Sequence, residues 1–65
     1  MRVRLNGEIV ETAADDLPGL LAELEFDPAV VATAVNGDFV PRTARAGVRL
    51  EDGDKVEVIS PRQGG

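Results

Sequence analysis

An α+β domain of two layers, one helix packed on a sheet of four or five strands, is the fold class this sequence predicts. Three observations lead there. Several short segments alternate polar and apolar residues with the period of two that marks a half-buried strand. Two Asn-Gly pairs, Asn6-Gly7 and Asn36-Gly37, interrupt such segments, and a type I′ hairpin turn needs positive φ at both of its central residues. A single leucine stripe at helical spacing lies between the two pairs. One helix covers only one face of a sheet, so a third layer is not expected.

The first strand is Arg2-Val3-Arg4-Leu5, and Glu8-Ile9-Val10-Glu11-Thr12 returns after Asn6-Gly7. A two-residue loop pairs Leu5 with Glu8 and Val3 with Val10, and puts Ile9 on the face of Arg4. A longer, bulged loop reverses the second strand, and both facings stay open. Asp15-Asp16 then offers N-cap carboxylates at the positive end of a helix dipole. Leu17, Leu20, Leu21 and Leu24 form one stripe of a short helix from about Asp16 to Glu25. Pro18 fits only the first turn, and Gly19 costs roughly 1 kcal/mol relative to Ala. The excursion ends at Asp27-Pro28. Val31-Ala32-Thr33-Ala34-Val35 reads as a strand covered on both faces, and Asp38-Phe39-Val40 as a short strand ended by Pro41. Residues Arg42 to Gly47 read as loop, Val48-Arg49-Leu50 as a short extended piece, and Glu51-Asp52-Gly53-Asp54 as a turn. Lys55-Val56-Glu57-Val58-Ile59 alternates again and is the last strand. Residues 1–60 are expected to form the domain. Pro61-Arg62-Gln63-Gly64-Gly65, with nothing to bury, is expected to be a flexible tail.

Composition narrows the function. A chain of 65 residues makes one small domain, and a domain of that size buries only about 60% of the surface its unfolded form exposes. That leaves no room for an enclosed, multilayered catalytic cleft. With 43% hydrophobic and 29% charged residues the chain lies outside the disordered class. Its only aromatics are Phe26 and Phe39, so an aliphatic core is expected. Seven basic and twelve acidic residues give a net charge of −5, the wrong sign for neutralising phosphates, so no nucleic-acid partner is expected. Without Cys or His there is no disulfide, thiol nucleophile, imidazole base or ordinary zinc site. No apolar run approaches the length that spans a bilayer, and no basic leader precedes an apolar stretch. The expectation is a cytoplasmic protein, monomeric when free, without a membrane or a catalytic role of its own.

The remaining polar clusters have structural explanations. Glu51-Asp52-Gly53-Asp54 lacks the ligand spacing of a calcium loop and is accounted for as a tight turn. Asp15-Asp16 is accounted for by capping, and Arg42 and Arg45 by a solvated loop face. The end of the sequence is different. Gly64 and Gly65 have no Cβ, so they can thread a narrow channel with φ values closed to other residues. Five extended residues reach about 17 Å. A Gly65 carboxylate on such a tail can enter another protein's active site while the body docks outside. Attack of that carboxylate on the α-phosphate of ATP gives an acyl-adenylate, chemistry in which this chain supplies only the reacting group.

Four stretches carry a resemblance: Arg2-Val3-Arg4-Leu5-Asn6-Gly7-Glu8, Ala34-Val35-Asn36-Gly37-Asp38-Phe39-Val40-Pro41-Arg42, Leu50-Glu51-Asp52-Gly53-Asp54-Lys55-Val56-Glu57-Val58, and Gln63-Gly64-Gly65. The chain resembles the β-grasp, ubiquitin-like fold and, more narrowly, the ThiS family of sulfur carriers in thiamine biosynthesis. The helix departs most from the family, because Pro18-Gly19 weakens its first turn. The resemblance implies a cycle. A ThiF-type, E1-like enzyme adenylates Gly65 with ATP and magnesium held in its own site, so this chain binds no cofactor. Sulfur passed as a persulfide displaces AMP and leaves a thiocarboxylate on Gly65, with Gln63 and Gly64 threading the partner's channel. Thiazole synthase, ThiG, then receives the sulfur.

Apolar residues left on the sheet face away from the helix are the candidates for docking such partners: Ile9 under the two-residue turn, with Phe39 and Ile59. Other readings share the Gly-Gly end. They are the small subunit of molybdopterin synthase, carriers serving cysteine synthesis or tRNA thiolation, a ubiquitin-like modifier joined to lysines, and an interaction module with an inert tail.

Overall fold

The computed structural model describes residues 1–60; the predicted tail, Gln63, Gly64 and Gly65 included, lies outside them. Five strands form one mixed sheet: β1 (Arg2–Leu5), β2 (Glu8–Glu11), β3 (Ala32–Val35), β4 (Asp38–Val40) and β5 (Lys55–Ile59), in the order β2-β1-β5-β3-β4. The two Asn-Gly pairs do what their chemistry dictates. Asn6 and Gly7 have φ of 49° and 87°, and Asn36 and Gly37 have 53° and 88°. The two-residue turn fixes the first hairpin with Val3 opposite Val10 and Ile9 opposite Arg4, which settles the facing that the sequence left open. The last strand runs up the middle, parallel to β1 and antiparallel to β3.

Both turn asparagines also reach β5. The Asn6 side chain accepts from Val58 N–H at 2.9 Å and donates to Val58 C=O at 3.1 Å, continuing the ladder where β1 has ended. Asn36 Oδ1 accepts from Lys55 N–H at 3.0 Å, and its amide donates to Asp54 Oδ1 at 3.1 Å. Each hairpin is therefore tied to the central strand at its own turn.

One helix, α1 (Leu17–Glu23), covers one face. Asp16 is its N-cap, accepting from Gly19 N–H at 2.8 Å, and Pro18 sits in the first turn. The helix is shorter than the stripe predicts. It closes with Glu25 N–H donating to Ala22 C=O and Phe26 N–H donating to Leu21 C=O, a Schellman ending. Glu25 takes the left-handed position with φ 63°, where glycine is the usual occupant. Seven residues are too few for an independent helix, so α1 depends on burial. Leu17, Leu20 and Leu21 are completely buried against Val3, Val56, Val58, Val40, Val31 and Leu50. Leu24 is half-buried at the edge. The core is aliphatic, with Phe26 packed at its margin and Phe39 outside it.

Three sequence expectations are corrected. β3 is covered on one face only: Thr33 is buried, whereas Ala32 is exposed on the side that α1 does not reach. Arg42–Gly47 is a 3-10 helix rather than loop, and it packs beside α1. Arg45 within it is buried, not solvated, because neutral oxygens of distant segments accept from its guanidinium. The short extended piece Val48-Arg49-Leu50, as expected, forms no full strand and makes a single bridge, Asp16 opposite Arg49.

Candidate functional site

The face of the sheet away from α1 follows from the strand period. Along β5, Val56 and Val58 point into the core, which turns Lys55, Glu57 and Ile59 outward. The same alternation turns out Arg2 and Arg4 on β1, Ile9 on β2, Ala32 and Ala34 on β3, and Phe39 on β4. Phe39 is 70% exposed, Ile9 63% and Ile59 62%, so all three docking candidates stand in solvent.

They do not form one patch. Ile59 stands opposite Ala32, Phe39 opposite Ala34, and Ala32 and Ala34 are alternate residues of the strand between them. On ordinary strand spacing Phe39 and Ile59 border one shallow strip roughly 12 Å across, floored by two alanines. Ile9 lies on the far edge strand, separated from that strip by Arg4 and Lys55. A fourth exposed apolar residue, Val30 at 51%, precedes β3 and was not anticipated. Its signal was the adjacent pair Val30-Val31, of which only one can point inward. Ile59 is next to the last described residue, so the Phe39–Ile59 strip adjoins the position from which residues 61–65 continue.

The polar candidates are occupied with structural work. Asp54 Oδ2 accepts from Glu51 N–H at 2.9 Å within the acidic turn, and Asp52 Oδ1 accepts from Arg2 N–H at 2.8 Å. Asp16 caps α1, while Asp15 pairs with Arg49 at 3.4 Å across exposed surface, so the two carboxylates diverge. Among the described residues no three Asp or Glu side chains gather where a metal ion would sit. Arg45 is 5% exposed and braces the loop before β3. One carboxyl is shifted: the Thr12 hydroxyl donates to Glu23, helped by the backbone N–H groups of Ala13 and Ala14, and holds its pKa below the usual glutamate value. That bond ties the end of α1 to the end of β2, away from the strip. Among the described residues no helix is long and apolar enough to cross a membrane.

Comparison with known proteins supports the same architecture. A crystal structure of a thiamine biosynthesis protein (ThiS) from Geobacter metallireducens matches with a TM-score of 0.84 at 28% identity, covering all of both chains. A solution structure of a thiamine biosynthesis protein from the same organism matches with a TM-score of 0.79 at 29% identity, covering all of this chain and 87% of that one. A thiazole synthase of Paramagnetospirillum magneticum is 36% identical over 66 residues, and this chain spans 20% of its length. The mixed five-stranded sheet with one principal helix is thus the β-grasp fold. The ThiS family model matches residues 3–65, all but the first two residues, and the chain belongs to the ThiS family.

Proposed function

We propose that this chain is a sulfur carrier of thiamine biosynthesis, with Gly65 as the atom-bearing residue. The observation that carries the reading is the family match, which runs through Gln63-Gly64-Gly65 on a chain with no Cys and no His. In the proposed cycle the Gly65 carboxylate attacks the α-phosphate of ATP in the site of a ThiF-type enzyme, releasing pyrophosphate. ATP and magnesium belong to that enzyme. A persulfide sulfur then displaces AMP from the acyl-adenylate, and reduction of the resulting acyl disulfide by a thiol frees the thiocarboxylate. Residues 1–60 are the docking body, 61–65 the segment that threads the partner's channel, and the cytoplasm the compartment. Thiazole synthase is the proposed acceptor: a protein of that name contains, over a fifth of its length, a segment similar to this chain. The strip between Phe39 and Ile59 adjoins the start of the tail and is the proposed contact for the adenylating enzyme.

Intact mass spectrometry tests this. After incubation with a ThiF-type enzyme, ATP and a persulfide donor, the mass is expected to rise by the exchange of one oxygen for sulfur, and deletion of Gly65 is expected to abolish the rise. No rise, with the enzyme shown to be active on its own carrier, rejects the carrier reading.

A further inference from the structure

The helix layer carries a second surface. A groove of about 380 Å³ runs between α1 and the 3-10 helix, lined among others by Pro18, Leu21, Ala22, Phe26, Arg42 and Arg45. Its walls are apolar, and the charged residues on it are both cations, in a chain whose net charge is −5. Arg45 Nε donates to Thr33 Oγ1 at 3.1 Å, and its two terminal nitrogens donate to Pro28 C=O at 2.8 Å and Val31 C=O at 2.7 Å. All three acceptors are neutral. Among the described residues no carboxylate lies within ion-pair distance of Arg42 or Arg45. A guanidinium buried without a counter-ion is costly, and this one borders the groove with each nitrogen hydrogen-bonded but its charge uncompensated.

The groove therefore offers an apolar floor beside a positive charge that nothing within the described residues neutralises. We propose that it docks an acidic amphipathic segment of a partner protein. One large apolar side chain of that segment sits against Pro18, Ala22 and Phe26, and a neighbouring carboxylate pairs with the exposed Arg42, drawn also by the buried charge of Arg45 beneath. Helix-in-groove docking uses this pairing of an apolar anchor with flanking charge. The groove belongs to the helix layer, whereas Phe39 and Ile59 lie on the opposite face of the sheet, so both surfaces can be occupied at once.

The test is an NMR titration of the full, isotope-labelled chain with a short capped peptide of Leu and Glu patterned as an amphipathic helix. Its Gln-for-Glu counterpart and octanoate serve as comparison probes. Saturable shifts are expected along α1, at Phe26 and in the 3-10 helix, with the sheet face unmoved. Arg42→Glu, on an exposed side chain, is expected to weaken binding about tenfold, as loss of a charge-assisted hydrogen bond implies. The Gln peptide is expected to lose a similar factor. Ala22→Tyr, which fills the groove from an exposed helix position, is expected to abolish the shifts. Absence of shifts, shifts on the sheet face, or unchanged binding to the Arg42→Glu variant overturns the proposal. Octanoate binding as tightly as the peptide also overturns it, because a small carboxylate is then the occupant.

Discussion

Asn6 shows how much one side chain can hold. Its carbonyl and its amide both pair with Val58, so the amide cannot be replaced by a carboxylate, which has no N–H to donate. Asn6→Asp keeps the left-handed preference of the turn but sets a carboxylate oxygen against the Val58 carbonyl. The expected cost is about 1–3 kcal/mol. Asn36→Asp, whose lost donation goes to an exposed carboxylate, is expected to cost less, because water screens the repulsion. Urea midpoints measured side by side decide it; equal midpoints for Asn6→Asp and the parent protein contradict the account. The sequence revealed the turns at these residues, because positive φ at Asn-Gly is a local property. It did not reveal that their side chains reach β5, which depends on residues about fifty positions away in one case. Arg45 was hidden for the same reason: nothing near it in the chain signals that the carbonyls of Pro28 and Val31 converge on it.

The helix is the element whose ends the sequence located least well. Its start was legible, since Asp16 precedes a proline and a leucine stripe. Its end was not, because Glu25 occupies the left-handed position where glycine would have announced it. Glu25→Gly removes a Cβ penalty of about 1–2 kcal/mol, partly offset by the greater freedom of glycine in the unfolded chain. A net gain of about 0.5–1 kcal/mol is expected, a Tm increase of about 2–8 °C for a domain of this size. A lower Tm contradicts the assignment of strain to this residue. The bond from Thr12 to Glu23 at the same end of the helix makes its grip sensitive to acid. The folded-state pKa of Glu23 is depressed, so its contribution is complete above the unfolded glutamate value and is lost as pH falls through the folded value. Glu23→Gln is expected to be less stable than the parent protein near neutrality and to converge with it in acid. Unfolding midpoints that stay separated by the same amount across that range contradict the link.

At the scale of the molecule, the strand alternation that made the fold legible also sorted its two faces. Val56 and Val58 have to be inside, so Ile59 has to be outside, and Ile9 joins that outer face because the first turn has two residues, a point only the structure decides. What the alternation could not supply was the strand order. Placing β5 between the hairpins brings Phe39 and Ile59 toward one another and leaves Ile9 on a remote edge. The groove beside α1 was beyond reach altogether, since Arg42–Gly47 gave no apolar period to mark it as a packed element.

The central position of β5 has a consequence for how the protein is made. Of the five described strands a ribosome delivers β5 last, yet it is the one that joins the hairpins. Until residues 55–59 emerge, the nascent chain holds two separate hairpins, each marginal alone. The segment after β5 is thus translated directly behind the strand that completes the sheet. A chain cut short before residue 55 lacks that strand, and any partner that docks on the finished sheet meets only molecules whose synthesis has passed it.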